Sequence, residues 1–213
     1  MTKSLRQRSG GFTILELMIA TMVFAVVLMV VTIGILQVAR VYYKGVTETN
    51  TQNTARFIID TIAQTIQFSG GNVTTTPSSP LAGTDYAFCI GNRQFSYRLG
   101  WQVENGLNPT QNQTWHALVQ NTTAGCSSSS AAQNLSNQTI SGRDLIGRHM
   151  RLSNLVVQNL GANQYRVTVR VVFGDNDLLS NPTTATSTCQ NVTAGTQFCA
   201  VSELSTVVLK RVE

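Results

Sequence analysis

Residues 17–36 read LMIATMVFAVVLMVVTIGIL, twenty residues without a charged side chain. An α-helix of this length is about 30 Å long, at roughly 1.5 Å per residue, which matches the hydrocarbon thickness of a lipid bilayer. A helix in the core of a soluble domain is rarely apolar on every side for so long. The stretch therefore predicts a membrane-spanning helix near the N-terminus of this 213-residue chain.

The flanking residues indicate that this helix is retained, and they indicate its orientation. A cleaved secretory signal has a shorter apolar segment followed by a small-x-small cleavage site, whereas residues 34–40 (GILQVAR) continue in helix-compatible sequence. Three basic residues, Lys3, Arg6 and Arg8, precede the span, and two follow it closely. Because basic residues collect on the cytoplasmic side, we expect the N-terminus in the cytoplasm and the rest of the chain outside the membrane.

One charged residue, Glu16, lies at the edge of the apolar run. A carboxylate at the middle of a bilayer costs about 2.5–3.5 kcal/mol on insertion scales, and less near the edge. Either the side chain of Glu16 reaches the lipid headgroups, or Glu16 has a function and a partner.

The residues around Glu16 carry a motif. Residues 10–16, Gly-Gly-Phe-Thr-Ile-Leu-Glu, resemble the prepilin cleavage motif of type IV pilins and of type II secretion pseudopilins. The resemblance implies that a dedicated membrane peptidase removes the basic leader, residues 1–11, by cutting between Gly11 and Phe12, and then methylates the new N-terminus at Phe12. It also implies that Glu16 pairs with the amine of a neighbouring subunit's first residue in a filament, which would penalise wrong axial registers.

The helix is expected to continue beyond the membrane with one apolar side. The first proline is Pro77, and Gly70-Gly71 supplies a stop signal before it. Apolar residues recur at helical spacing at Ala55, Ile58, Ile59, Ile62, Ala63 and Ile66. Residues 45–54 are rich in Thr and Asn, which are poor helix formers, and this composition allows a break or partial melting of the helix.

A second resemblance covers residues 52–71 (QNTARFIIDTIAQTIQFSGG). This segment is similar to part of the PilW-like minor pilins, in which an Asn-Ala-Arg-Phe-type phrase precedes an amphipathic helix that ends in glycine. The J-type pseudopilins of type II secretion share the general plan. The predicted organisation is a transmembrane or filament-core helix over residues 12–44, an amphipathic half over 45–71 and an extracytoplasmic domain over 72–213.

The extracytoplasmic domain has the sequence of a β-rich fold. Residues 165–173 (YRVTVRVVF) alternate between apolar and polar positions, and residues 152–160 can pair with them as a hairpin. Residues 95–103 and 205–212 also favour strands. An antiparallel sheet packed against the amphipathic half of the helix would give an α+β, pilin-like fold.

Two polar segments of this domain read as loops. Residues 72–90 are rich in Thr, Ser and Pro, and residues 104–140 contain a serine run. Tyr97, Trp101 and Trp115 favour packing in the core or in a hairpin over a platform for a carbohydrate.

Four cysteines lie in the extracytoplasmic domain: Cys89, Cys126, Cys189 and Cys199. None forms a Cys-x-x-Cys pair, and an even number of cysteines beyond a membrane anchor is typical of disulfides. Three pairings exist. Pairing between neighbours in sequence favours Cys189 with Cys199, which leaves the other two for each other.

No cofactor or metal centre is predicted. His116 and His149 do not have metal-ligand spacing. Asp175 and Asp177 flank an asparagine and supply oxygen atoms of the kind that Ca²⁺ prefers, but the fuller calcium-loop pattern is missing, and a simple turn is favoured.

Charge does not indicate a nucleic-acid partner. The chain has 15 basic and 10 acidic residues, for a net charge of +5, but three basic residues belong to the predicted leader, and without them the net charge is +2. Beyond the leader, the basic residues cluster only at Arg143, Arg148 and Arg151, which are expected to be solvated.

Three functions are compatible with these observations, and enzymatic activity is not predicted, because no nucleophile–base pair, metal cluster or phosphate loop is evident. The first function is a minor type IV pilin that primes assembly or joins the filament, with prepilin peptidase, other pilin subunits and the inner membrane as partners. The second is a pseudopilin of type II secretion. The third is an adhesin or a DNA-uptake receptor, which would need an aromatic-basic or metal-bearing pocket that the sequence does not reveal.

Overall fold

The computed structural model describes residues 11–77, 84–128, 130–190 and 195–212. The predicted basic leader residues Lys3, Arg6 and Arg8 lie outside the described residues. The chain forms two compact units, Met1–Tyr42 and Tyr43–Glu213.

A long helix, α1 (Ile14–Phe68), begins in the first unit. Every residue from position 11 to 38 is exposed, although most of these side chains are apolar. The helix has a mean hydropathy of 2.8 over its most apolar stretch, none of which is buried, so it is long and apolar enough to cross a membrane. These properties fit the predicted membrane anchor.

The expected continuation of the helix is confirmed, and the break that the composition of residues 45–54 allowed does not occur, because α1 is continuous through this segment. The hydroxyl groups of Thr47, Thr49, Thr51 and Thr54 each donate to the carbonyl oxygen four residues earlier, at 2.8–3.0 Å. These bonds satisfy the hydroxyl groups while the backbone stays helical, although bonds of this kind stabilise a helix little by themselves. Thr47 and Thr51 are also buried. Tertiary packing therefore overrides the weak helix propensity of this segment.

The second unit contains eleven strands within the described residues. They are β1 (Tyr86–Ile90), β2 (Arg93–Tyr97), β3 (Gln102–Val103), β4 (Gln113–Thr114), β5 (Leu118–Thr122), β6 (Arg143–Asp144), β7 (Met150–Gly161), β8 (Gln164–Phe173), β9 (Leu179–Ser180), β10 (Thr188–Cys189) and β11 (Ala200–Leu209). Two short 3₁₀ helices cover Asn176–Leu178 and Thr196–Phe198.

These strands form two main sheets instead of the single sheet that was predicted. A five-stranded sheet has the order β11-β8-β7-β3-β4, and a four-stranded sheet has the order β1-β2-β5-β6. β9 and β10 form a separate pair. All pairings are antiparallel except that of β3 with β4. The predicted α+β class, a long N-terminal helix with antiparallel-rich sheets, is confirmed.

The predicted hairpin is formed by β7 and β8. Its loop is Ala162–Asn163, and both residues have positive φ angles, of 50° and 59°. A two-residue loop with this geometry matches the right-handed twist of the strands, and asparagine adopts it at low cost. The alternating residues of β8 are buried as predicted: Tyr165, Val167, Val169 and Val171. β11 then pairs with β8 along ten residues.

Three details of the predicted strands are wrong. β1 lies within the segment 72–90 and β5 within 104–140, and both segments were expected to be loops. The segment 95–103 is interrupted at Gly100, which has a φ of 75°. A Cβ atom at this glycine would collide with the backbone of Thr183. Glycine is therefore required where these two chain segments approach each other.

The apolar stripe of α1 packs against both main sheets. Its buried residues are Ala55, Ile58, Ile59, Ile62 and Ile66. The sheet residues of the same core include Phe88, Ile90, Phe95, Tyr97, Leu118, Leu152, Leu155, Val167, Val169, Val171 and Val208. Each fully buried isoleucine contributes about 1.5–3 kcal/mol relative to an exposed one. The second half of α1 therefore supplies the helical part of the main hydrophobic core of the domain.

Two disulfides join Cys89 to Cys126 and Cys189 to Cys199. This is the connectivity favoured by pairing between sequence neighbours. The first disulfide ties β1 to the loop after β5, and Cys89 itself is fully buried. The second joins β10 to the residue before β11, and Cys199 contacts a small core of Val172, Leu178 and Leu179.

We expect removal of the first disulfide to destabilise the domain more than removal of the second. The pair spans 37 residues in the first case and 10 in the second. Restriction of the unfolded chain gives losses of roughly 4 kcal/mol for Cys89→Ala/Cys126→Ala and roughly 3 kcal/mol for Cys189→Ala/Cys199→Ala. Urea unfolding of both double variants in the same detergent measures the difference, and a reversed order would contradict the expectation.

Candidate functional site

The segment before α1 presents an accessible peptide bond. Gly11, Phe12 and Thr13 precede the helix without regular secondary structure, and Phe12 has 83% of its surface exposed. A Cβ atom added to Gly11 would meet nothing within 4 Å. Packing within the described part of the chain therefore does not require a glycine at position 11.

Thr13 and Glu16 form a capping box at the first turn of α1. The backbone N–H and the hydroxyl of Thr13 both donate to Oε2 of Glu16 at 3.0 Å. In return, the backbone N–H of Glu16 donates to the hydroxyl oxygen of Thr13 at 3.3 Å. This reciprocal arrangement satisfies backbone N–H groups that the start of a helix leaves unpaired.

The capping box gives Glu16 a structural role that was not predicted from the sequence. Its signal was readable, because Thr13-x-x-Glu16 immediately before an apolar helix has the spacing of a capping box. Glu16 therefore has a local structural partner, Thr13, in addition to any partner outside the chain.

The carboxylate of Glu16 keeps capacity for another partner. Only Oε2 accepts hydrogen bonds within the described residues, which leaves Oε1 available. An ionised carboxylate can accept about four hydrogen bonds, so a cation can bind without disrupting the cap. The arrangement thus combines an accessible backbone bond, a helix start and a carboxylate with a free oxygen.

The neighbouring surface of α1 is apolar on all sides. Exposed apolar residues of its first turns include Ile14, Leu15, Leu17, Met18, Ile19, Met22, Val23 and Phe24. This surface is far larger than the apolar patches that soluble monomers expose, and it is typical of a segment that enters lipid or packs against other helices.

The other sequence-predicted residues lie in the second unit. The four cysteines form the two disulfides described above. Asp175 accepts a hydrogen bond at Oδ1 from Nε2 of Gln102, at 2.7 Å. No group of three or more His, Cys, Asp or Glu residues in the described part of the chain could hold a metal ion.

A buried arginine opposes cation binding near Asp175. Arg151 is completely buried, and burial lowers its pKa to about 10, although nearby Asp175 favours its charged form. Its guanidinium donates to the carbonyl oxygens of Gly174 and Pro182, both at 3.0 Å, and to Oδ1 of Asn176 at 2.8 Å. Arg151 thus anchors the segment after β8, and its positive charge makes the site unfavourable for Ca²⁺.

Arg143, Arg148 and Arg151 were expected to be solvated; this is wrong for Arg151, whereas Arg143 and Arg148 are exposed. Arg151 is buried, and Arg148 lies 3.4 Å from the carboxylate of Glu104. Only Arg143 is exposed without an acidic partner in the described residues; its guanidinium lies 4.8 Å from the ring centre of Phe57. Neighbours in sequence therefore separate into three environments.

Tyr97, Trp101 and His116 have structural partners in the domain. Tyr97 is buried in the main core, and the guanidinium of Arg98 lies 4.8 Å from the ring centre of Trp101. Nδ1 of His116 lies 2.6 Å from the carboxylate of Asp144, whose pKa burial raises even though His116 opposes this change. No nucleophile is hydrogen-bonded to this pair within the described residues.

Comparison with known proteins assigns the N-terminal segment. Residues 6–32 match the family model of the prokaryotic N-terminal methylation motif, and this range includes Gly11, Phe12 and Glu16. No curated protein and no solved structure matches the chain. The match supports a membrane-anchored prepilin of the type IV pilin or pseudopilin kind, a class whose members are structural proteins.

Proposed function

We propose that this chain is a minor type IV pilin, a structural subunit that is processed by prepilin peptidase and then primes or joins a filament. The observation that carries the proposal is the match of residues 6–32 to the methylation motif. The exposure of Gly11 and Phe12 directly before an exposed apolar helix supports it. The similarity of residues 52–71 to PilW-type minor pilins favours the minor-pilin role over that of a type II secretion pseudopilin.

Cleavage between Gly11 and Phe12 would remove the leader and keep the helix. The space around Gly11 is open within the described residues, so its identity serves an external partner better than it serves the fold. A peptidase that binds the backbone closely around the cleaved bond requires a residue without a side chain at this position. Phe12 would then carry the new amine and its methyl group.

The membrane holds the subunit before assembly. Residues 12–44 would span the inner membrane and later pack in the filament core, while residues 45–71 support the domain formed by residues 72–213. The two disulfides support an outward-facing domain, because disulfides form and persist outside the reducing cytoplasm.

Glu16 would set the axial register of the helix in the filament. Its Oε1 has no partner in the described residues and can accept a charge-assisted hydrogen bond from the N-terminal amine of a neighbouring subunit's Phe12. A misplaced subunit would leave this carboxylate unpaired among apolar side chains, which is costly. The capping box with Thr13 would hold the carboxylate in a defined position during the search for the register.

Mass spectrometry of the protein from cells with an active prepilin peptidase tests the processing step. We expect a chain that begins at Phe12 and carries one methyl group on its amine. A Gly11→Val variant is expected to keep its leader, because the added side chain obstructs the peptidase. Gly34→Val is the matched control, since Gly34 is equally open but lies inside the helix.

An intact leader on the wild-type protein in such cells would contradict the proposal. The location of the mature chain then separates the two closest functions. Recovery in sheared pilus fractions supports a pilin, whereas loss of protein secretion on deletion, with pili unchanged, would indicate a type II secretion pseudopilin.

A further inference from the structure

A groove of about 800 Å³ lies between the last turns of α1 and one end of the four-stranded sheet. Its helix side carries Phe57, Gln64 and Phe68, and its sheet side carries Arg93 and Arg143. All of these residues belong to the second unit. The groove is separate from the N-terminal processing segment and has no part in the function proposed above.

The strand register places the two arginines on the side of the sheet that faces α1. Gln120 of β5 lies opposite Phe95 of β2 and opposite Arg143 of β6. Residues directly opposite each other in neighbouring strands share one face. Phe95 belongs to the core against α1, so Gln120 and Arg143 share its side. Arg93 is two residues before Phe95 and lies on this side too.

The helix supplies two phenyl rings to the same groove. Phe57 and Phe68 are eleven residues apart, or about 16 Å along the helix axis at 1.5 Å per residue. Phe57 has 37% and Phe68 64% of its surface exposed. Phe57 has the guanidinium of Arg143 over its ring, at 4.8 Å, and so positions this cation. Phe68 is left as an open aromatic platform.

The positive charge of the groove is not neutralised by the described residues. Neither Arg93 nor Arg143 donates a side-chain hydrogen bond or forms an ion pair there, and no acidic side chain lines the groove. Four carboxylates elsewhere each pair with a Lys or an Arg: Glu48, Asp85, Glu104 and Glu203. A domain with almost balanced charge therefore contains a locally basic groove.

The arginine, phenylalanine and glutamine side chains that line the groove indicate which kind of ligand it can bind. Free guanidinium groups bind phosphate or carboxylate oxygens. An exposed phenyl ring stacks with any unpaired base, and amide side chains such as Gln64 and Gln120 can bond to base edges. We propose that the groove binds single-stranded nucleic acid, with phosphates at Arg93 and Arg143 and a base on Phe68. Duplex bases are already stacked on each other, and they cannot use the ring in this way.

The sequence provided no evidence of a nucleic-acid partner and did not reveal an aromatic-basic pocket, but the lining of this groove has that composition. The phenyl rings come from the helix and the arginines from two strands far away in sequence. Only the packing of α1 on the four-stranded sheet brings them together.

Fluorescence anisotropy tests the proposal with the full chain in nanodiscs of uncharged phosphatidylcholine. The probe is a fluorescein-labelled oligothymidylate of about 12 nucleotides, within the site sizes of known single-strand binding folds. Binding is measured over a series of NaCl concentrations. For two phosphate contacts we expect log K to fall against log salt with a slope of about −1.4, which is about −0.7 for each contact.

Single variants separate the arginines from the ring. Arg93→Gln and Arg143→Gln are each expected to reduce the slope to about −0.7. Phe68→Ala should weaken binding by about 5- to 150-fold without changing the slope, because it removes stacking alone. Arg166→Gln and Phe198→Ala are matched controls, because both residues are exposed and lie outside the groove. Equal thermal midpoints of all variants would show that the domain remains folded.

Several results would overturn the proposal. These are no anisotropy change at the lowest salt concentration, an equal effect of Arg166→Gln and Arg93→Gln on the slope, or equal affinity for a duplex of the same length. Tighter binding of polyglutamate or polygalacturonate at the same arginines would instead assign the groove to acidic peptides or polysaccharides. The assay involves no filament, so its outcome is independent of the processing and assembly tests.

Discussion

Replacement of Glu16 by alanine will reduce incorporation of the chain into filaments by more than about 100-fold, with membrane insertion unchanged. Removal of one member of a buried ion pair leaves the other charge unpaired and costs about 3–5 kcal/mol. In the proposed filament that charge is the amine of a neighbouring Phe12. The amount of the chain in sheared filaments, relative to the amount in the membrane, measures the effect.

The capping box supplies a sharper variant, Glu16→Gln. Glutamine at this position can still accept the hydrogen bonds of Thr13, so the cap is kept while the charge is lost. If the charge sets the register, Glu16→Gln fails as Glu16→Ala does. Thr13→Ala has the opposite effect: it weakens the cap by about 1 kcal/mol and keeps the charge, so incorporation should persist.

Glu48→Ala is the matched control, since Glu48 is an exposed glutamate of the same helix that pairs with Lys44. Normal incorporation of Glu16→Gln together with failure of Thr13→Ala would reverse the interpretation. Glu16 would then act only through the helix cap.

The second large effect is expected at Asp85. Asp85→Ala will lower the free energy of unfolding of the domain by about 3–5 kcal/mol, because it leaves the buried guanidinium of Arg98 without its acidic partner. Their side chains are only 5% and 6% exposed, and the two groups form two hydrogen bonds, at 2.5 and 2.9 Å. Asp85 also accepts the backbone N–H of Leu135 at 3.2 Å. The substitution thus removes partners from two buried donors.

Urea unfolding in detergent, followed by near-ultraviolet circular dichroism, measures this loss. Asp177→Ala is the matched control, because Asp177 is an exposed aspartate of the same domain. A double-mutant cycle with Arg98→Ala isolates the pair, and the double variant should lose less than the sum of the single losses. A loss below about 1 kcal/mol for Asp85→Ala would contradict the prediction, because a loss of that size is typical of surface ion pairs.

The buried pair of Asp85 and Arg98 could not be predicted from the sequence. Asp85 lies in a segment that was predicted to be a loop, and Arg98 lies in a predicted strand. Neither residue belongs to a periodic pattern or to a motif. The pair exists because β1 and β2 form a hairpin with register from Tyr86 to Tyr97, and this register was not predicted.

The missed strands have a similar explanation. β1 and β5 are short and lack a strong alternating pattern of apolar and polar residues. Each is stabilised by hydrogen bonding to one edge of β2. Strand propensity depends on such neighbours more than helix propensity does. The continuous helix through residues 45–54 is the converse case, because burial of Thr47 and Thr51 outweighs a weak local preference.

By itself, the sequence determined the features that depend on neighbours along the chain. The apolar run, the stripe from Ala55 to Ile66 and the alternation of residues 165–173 predicted the helix, its buried side and the hairpin, because hydrophobic periodicity reports directly which side of an element is buried. Only the tertiary structure decided which distant segments meet. It selected one of three disulfide pairings, separated Arg143 from buried Arg151, and assembled the groove between α1 and the four-stranded sheet, because contacts between distant residues follow from packing and register, which leave no local periodic signal.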